Sequence, residues 1–167
     1  MEHMVQMEDY LSEFIYGSID GIITTFSIVA GSAGGNLARN VIIVLGISNV
    51  LSDGYSMGVS RYLSAVAEQE QELITHIKPP WVSGVITFLS FVCIGLLPIL
   101  PFLMFKARHI ANRVSLLIAL IMFFVIGLIK GLVVKTGMPF RNGLKSLFIG
   151  FSAALISFFV GKYVGEA

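Results

Sequence analysis

The chain has 167 residues, 56% of them hydrophobic and 13% charged, with a formal net charge of +1. Apolar residues at that density, gathered in long unbroken runs, exclude a water-soluble globular domain. The near-neutral charge and the absence of any Lys/Arg cluster argue against a nucleic-acid partner, and the single cysteine, Cys93, allows no intrachain disulfide.

The N-terminal stretch carries Glu2, Glu8, Asp9 and Glu13 rather than a basic region, and the first apolar run is too long for a cleaved signal, so it reads as a retained helix. Crossing a bilayer takes ~20 apolar residues at 1.5 Å each, and five segments qualify, at about 14–35, 40–66, 81–105, 114–134 and 144–164. Gly34, Gly35 and Asn36 make a tight turn that pairs the first two as an antiparallel hairpin. No breaker follows the second span until Pro79 and Pro80, so its helix can run on through Glu68, Glu70 and Glu72, giving a short acidic linker in water over 67–80. Trp81 anchors the start of the third span at the interface, and Pro98 and Pro101 should kink or end its last turns. A basic loop with Lys106, Arg108, His109 and Arg113 precedes the fourth span, and Lys130 is placed to snorkel at its end. The fifth has a small-residue patch, Gly150, Ser152, Ala153 and Ala154, suited to a helix contact. The 11 Lys and Arg residues divide almost evenly between the two sides, so charge does not set the orientation. The expected fold is an all-α integral membrane protein, one transmembrane domain of five helices over 1–167.

Acidic residues inside spans carry the functional signal, because each costs roughly 2.5–3.5 kcal/mol at a helix centre. Asp20 lies ~9 Å from the N-terminal face of its span, while Asp53 and Met57 on the returning helix lie ~12 and ~6 Å from the same face. The hairpin therefore brings two carboxylates and a thioether to one depth. Asn49, Asp53, Met57 or Ser56, Ser60 and Ser64 make a polar stripe on the second helix, matched by Asp20, Thr24, Ser27 and Gly31 on the first. Gly17, Gly21, Gly31 and Gly35 allow another helix to approach closely, and two hairpins about a two-fold axis would double the ligands. Carboxylate with thioether favours Fe²⁺, with Mn²⁺, Co²⁺ or Zn²⁺ as neighbours, over Mg²⁺ or Ca²⁺. Buried carboxylates can also take up protons, which makes metal/H⁺ exchange available. Glu68, Glu72 and His76 share a helical face that either collects cations or is simply solvated.

Together "YGSIDGIITTFSIVAGSAGG" (Tyr16 to Gly35) and "NVLSDGYSMGVSRYLS" (Asn49 to Ser64) resemble the vacuolar iron transporter family. The resemblance rests on D-G-I-x-T-T-F-x-x-V-A-G followed by N-x-x-x-D-G-x-S-M-x-x-x-x-Y-L-S; hydropathy and spacing carry it through the last three spans. It implies a dimer with a cytosolic N-terminus, exporting Fe²⁺ and sometimes Mn²⁺ from the cytosol by proton antiport, with Asp20 and Met57 lining the pathway at the dimer interface. The best-known members carry a large Glu-rich cytosolic domain between the second and third spans. Here only residues 68–79 separate Ala67 from Pro80, as in a shorter branch of the family.

The expected metal-binding residues are thus Asp20, Met57, Asp53, Asn49, Ser56, Glu68 and Glu72. Lipid, divalent metal and a second copy are the expected partners, with no resident cofactor, in a vacuolar-type or plasma membrane. Asp53-Gly54 occurs also in lipid-headgroup transferases, but the Ala-Arg and later aspartates of that signature are missing, as is any Ser/His or His cluster. An enzyme is therefore not expected. The alternative is a non-transporting scaffold or accessory subunit that docks through its glycine faces.

Overall fold

The computed structural model describes residues 10–71, 78–133 and 138–166. Among these the chain is wholly helical: α1 (Leu11–Gly34), α2 (Arg39–Glu70), α3 (Pro80–Gly95), α4 (Leu100–Met104), α5 (Arg108–Val133) and α6 (Pro139–Gly165). Four of them, α1, α2, α5 and α6, are long and apolar enough to cross a membrane.

Six helices stand where five spans are expected, because the third is broken. α3 ends at Gly95 after 16 residues and the chain turns through 96–99 before α4 adds five more. Pro98 has no N–H to continue the ladder, which is reason enough for the break. The freed carbonyl of Pro98 is buried, and Ser115 of α5 donates to it at 2.7 Å, the kind of replacement a low-dielectric interior demands. α5 also starts earlier than expected, so Arg108, His109 and Arg113 belong to its opening turns. The start of the acidic linker is helical, as α2 runs through Glu70.

α1 closes on a Schellman turn: Leu37 N–H donates to Ser32 O at 2.9 Å and Asn36 N–H to Ala33 O at 3.3 Å. Asn36 takes the left-handed conformation at φ 55°. Arg108 clamps that turn, donating to Leu37 O at 2.8 Å and to Asn36 Oδ1. Arg39 donates to Phe102 O at 2.5 Å and Leu103 O at 3.3 Å, covering the carbonyl end of α4.

α1 is the central helix, packed on α3 and α6 and also touching α2 and α5. Glycines set its distances. A Cβ on Gly21 would lie 2.5 Å from Phe91 O and one on Gly17 2.6 Å from Thr87 O, so α3 rests on the bare backbone of α1. At the other end, Gly31 and Gly35 face Gly161 of α6. The expected helix-approach glycines are thus engaged within the chain. The rest of the core is Ile22, Phe26 and Val29 of α1 against Phe102, Ala119, Phe123 and Ile126, with Phe26 and Phe123 edge-to-face at 6.3 Å.

Gly21→Val should push α3 off α1 and destabilise the fold by roughly 1–3 kcal/mol, the usual cost of overpacking. Ser64→Ala, on an exposed position, should change little. Thermal denaturation of both purified variants in one detergent checks the contrast.

Candidate functional site

Successive fourth residues of α2 fall into rows with distinct surroundings. Ile42, Gly46, Val50, Gly54 and Gly58 are buried, largely against α3 and Ile99. Beside them Asn49, Asp53, Met57 and Arg61 are half-buried. A third row, Ser48, Ser52, Ser56, Ser60 and Ser64, is exposed, as are the apolar Leu51, Tyr55, Val59 and Leu63. The polar stripe expected from sequence therefore divides: Met57 belongs with the aspartate, and Ser56 with the outward serines.

Two aspartates come together from α1 and α2. Asn49 Nδ2 donates to Asp53 Oδ2 at 2.5 Å, one turn along the helix, which fixes that carboxylate's direction. Asp20 is half-buried on α1, within electrostatic range of Asp53. It borders an open groove of about 590 Å³ lined also by Ser12, Tyr16, Ile19 and Lys130. Both aspartates precede a glycine on which Phe91 of α3 rests: Gly21 against its backbone, and Gly54, whose Cβ would lie 3.2 Å from Phe91 Cδ1. Met57 packs on the cluster of Val50, Phe91 and Ile99. Phe91 thereby links the surroundings of Asp20, Asp53 and Met57.

Glu68 is engaged elsewhere. Arg61 Nη1 donates to its two carboxylate oxygens at 3.0 and 3.2 Å, while Nη2 and Nε donate to Glu13 Oε1 at 2.9 and 3.2 Å. Glu13 is only 2% exposed and also accepts from Ser12 Oγ at 2.7 Å. This network, joining the start of α1 to the end of α2, is absent from the sequence expectation. Its signal was Arg61 itself, a cation in an apolar run four residues beyond Met57. Glu72 and His76 lie outside the described residues. Among the described residues no three His, Cys, Asp or Glu side chains converge as a metal site, so one chain contributes two carboxylates and a thioether that leave further coordination positions to water, backbone or a second chain.

The family model described as the VIT family matches residues 11–78 and 70–162, two segments that meet at the α2–α3 connection. The vacuolar iron transporter of Plasmodium berghei (strain Anka) is 38% identical over 80 residues, 48% of this chain and 29% of that protein. That of Toxoplasma gondii (strain ATCC 50861 / VEG) is 40% identical over 68 residues, 41% and 22% respectively. The matched part is thus 29% or less of these relatives' length. Vacuolar iron transporter 1 of Arabidopsis thaliana is 23% identical over 217 positions, covering 93% of this chain and 86% of that protein.

Glu13→Ala should leave the half-buried Arg61 with Glu68 alone and cost roughly 1–3 kcal/mol, below the range for a fully buried pair. The double variant Glu13→Ala, Arg61→Ala should recover part of that loss. A double-mutant cycle on chemical denaturation in detergent measures the coupling.

Proposed function

Because this chain belongs to the VIT family, we propose that it carries divalent transition-metal ions across a membrane. The observation that carries this reading is that Asp20 of α1 and Asp53 of α2, both half-buried, lie within electrostatic range of each other, with Met57 one turn beyond Asp53; carboxylates at such depth are expensive unless a cation visits them. Asp20 and Asp53 act as ligands or proton carriers, Asn49 holds Asp53 in direction, and Met57 supplies the soft donor that selects Fe²⁺, with Mn²⁺ second. Ser56 offers a hydroxyl from the outward row. Export from the cytosol in exchange for protons fits carboxylates that can bind either ion. The protein works as a transporter rather than an enzyme, and its metal is cargo, not a resident cofactor.

The functional unit in this reading is a two-fold dimer. The exposed serine row on α2 and the open face of α1 at Tyr16, Asp20 and Ser27 are the surfaces best suited to a second copy, since small residues allow close helix approach. Such pairing would bring two sets of ligands to one axis. Docking through the glycines, as a scaffold would require, is disfavoured because Gly17, Gly21, Gly31 and Gly35 already hold α3 and α6. Metal retention by the purified protein in detergent separates transporter from scaffold.

Reconstituted into proteoliposomes, the protein should accumulate Fe²⁺ and Mn²⁺ when a pH gradient is imposed. Asp20→Asn should reduce uptake at least about tenfold and Met57→Ala by several-fold, on the scale of losing a charged or a soft ligand. Unchanged uptake in Asp20→Asn would remove that residue from the pathway.

For the dimer, Ser56→Cys in a Cys93→Ala background should form an intermolecular disulfide under mild oxidation in membranes. A monomeric mass in detergent together with no cross-link at any serine of the row contradicts the arrangement.

A further inference from the structure

The basic residues ahead of the fourth expected span gather at the end of the molecule where α1 finishes. Two arginines there are spent on backbone: Arg108 donates to Leu37 O and Asn36 Oδ1, and Arg39 to Phe102 O and Leu103 O. Lys106, His109 and Arg113 are exposed and pair with no other described residue. Across this end, among the described residues, Arg39, Lys106, Arg108, Arg113 and Lys162 are set against one acid, Glu166. At the opposite end Arg61 is shared between Glu13 and Glu68. The unbalanced positive charge is therefore local.

α5 carries this charge above an apolar track. Its exposed positions 109, 110, 113, 116, 117 and 121 recur at helical spacing and form one stripe down the helix. His109 and Arg113 open the stripe, with Lys106 in the bend just ahead. Below them stand Leu116, Leu117 and Ile121, 42%, 58% and 52% exposed. Met104, the last residue of α4, adds apolar surface just ahead of the bend. From position 109 to 121 the stripe is about 18 Å long, close to the ~15 Å that one leaflet contributes to the hydrocarbon. A cationic head over an apolar track is the complement of an upright anionic amphiphile.

The corner that bears the charges is already fixed. Arg108 ties the start of α5 to the turn after α1, Arg39 ties α2 to α4, and Ser115 ties α5 to the carbonyl of Pro98. Donors on such a corner lose little freedom when a ligand arrives.

We propose that Lys106, His109 and Arg113 hold the phosphate of an anionic phospholipid whose acyl chains lie along Leu116, Leu117 and Ile121. The Arg113 guanidinium offers a planar fork to phosphate oxygens and the Lys106 ammonium a point charge, both in charge-assisted hydrogen bonds. Phosphate chemistry alone would suit a soluble anion as well. The apolar stripe directly beneath is what commits the site to lipid. The site uses neither the α2 serine row nor Asp20, so it stands apart from the transport reading.

The test titrates the purified full chain in detergent with phosphatidylglycerol, phosphatidylcholine of the same chains, or glycerol phosphate, and counts bound molecules by native mass spectrometry. Phosphatidylglycerol should bind at least about tenfold more tightly than phosphatidylcholine, with no binding of glycerol phosphate in the same range. Lys106→Gln combined with Arg113→Gln should weaken phosphatidylglycerol roughly twentyfold, at about fivefold per basic side chain, and leave phosphatidylcholine unchanged. Arg141→Gln combined with Lys145→Gln removes the same charge at the start of α6, the opposite end, and should change neither lipid. Elution as a single species identifies the folded proteins. If the first double variant does not fold, Arg113→Gln alone, with about a fivefold loss expected, decides the matter. Equal affinity for the two lipids, no loss on removing Lys106 and Arg113, or an equal loss in the α6 variant overturns the site. Tight binding of glycerol phosphate by itself assigns a soluble anion and overturns the lipid.

Discussion

The structure depends on backbone-to-backbone contact around α1. Within lipid, helices gain little from burying apolar side chains against one another, since the tails are as apolar as leucine; close approach and dispersion must do the holding. Gly17 and Gly21 let α3 lie on α1, and Gly31 and Gly35 let α6 do so at the opposite end. Every glycine used in this way also fixes a neighbour's direction. At Asp20-Gly21 the glycine takes the helix contact, and the carboxylate, about 100° further round, is left at the open groove beside Tyr16 and Lys130.

This use of the glycines changes what the chain offers outward. A G-x-x-x-G pair in a lone apolar helix reads as a dimer seam, but here it is spent on intramolecular packing. What stays uncovered on α2 is a row of five serines together with the apolar row of Leu51, Tyr55, Val59 and Leu63. Hydroxyls facing hydrocarbon are mildly unfavourable and small enough for a helix to rest upon, so a second copy is a better environment for them than lipid. Contact through small polar residues would also keep the aspartate row near the symmetry axis.

Much of the fold was legible in the sequence because one constraint, the thickness of the hydrocarbon, sets segment length. The hairpin turn at Gly34, Gly35 and Asn36 and the i, i+4 partnership of Asn49 with Asp53 were equally local and equally readable. Pro98 announced a disturbance in the third segment, but the partner of its carbonyl, Ser115 of α5, comes from a distant helix that no local pattern encodes. The same limit hid the network at Glu13, Arg61 and Glu68. Glu13 read as part of an acidic N-terminal stretch and Arg61 as one residue of a motif. Only the return of α2 past α1, 48 residues later, brings them together.

The result is a site with a packed back and a charged end. Phe91 seated on Gly21 and Gly54 holds the two aspartate-bearing helices to a third, so the spacing of the carboxylates is set by packed backbone rather than by loops, as a selective cation site requires. Toward the start of α1 the packing gives way to charge: Glu13, Arg61, Glu68 and Lys78 meet where α2 leaves the core. Packed glycine contacts have one favourable distance, whereas Arg61 is shared at once between an enclosed carboxylate, Glu13, and one nearer the edge, Glu68. The packed region and the charged one are carried by the same two helices. In this chain they lie two helical turns apart on the same faces of α1 and α2.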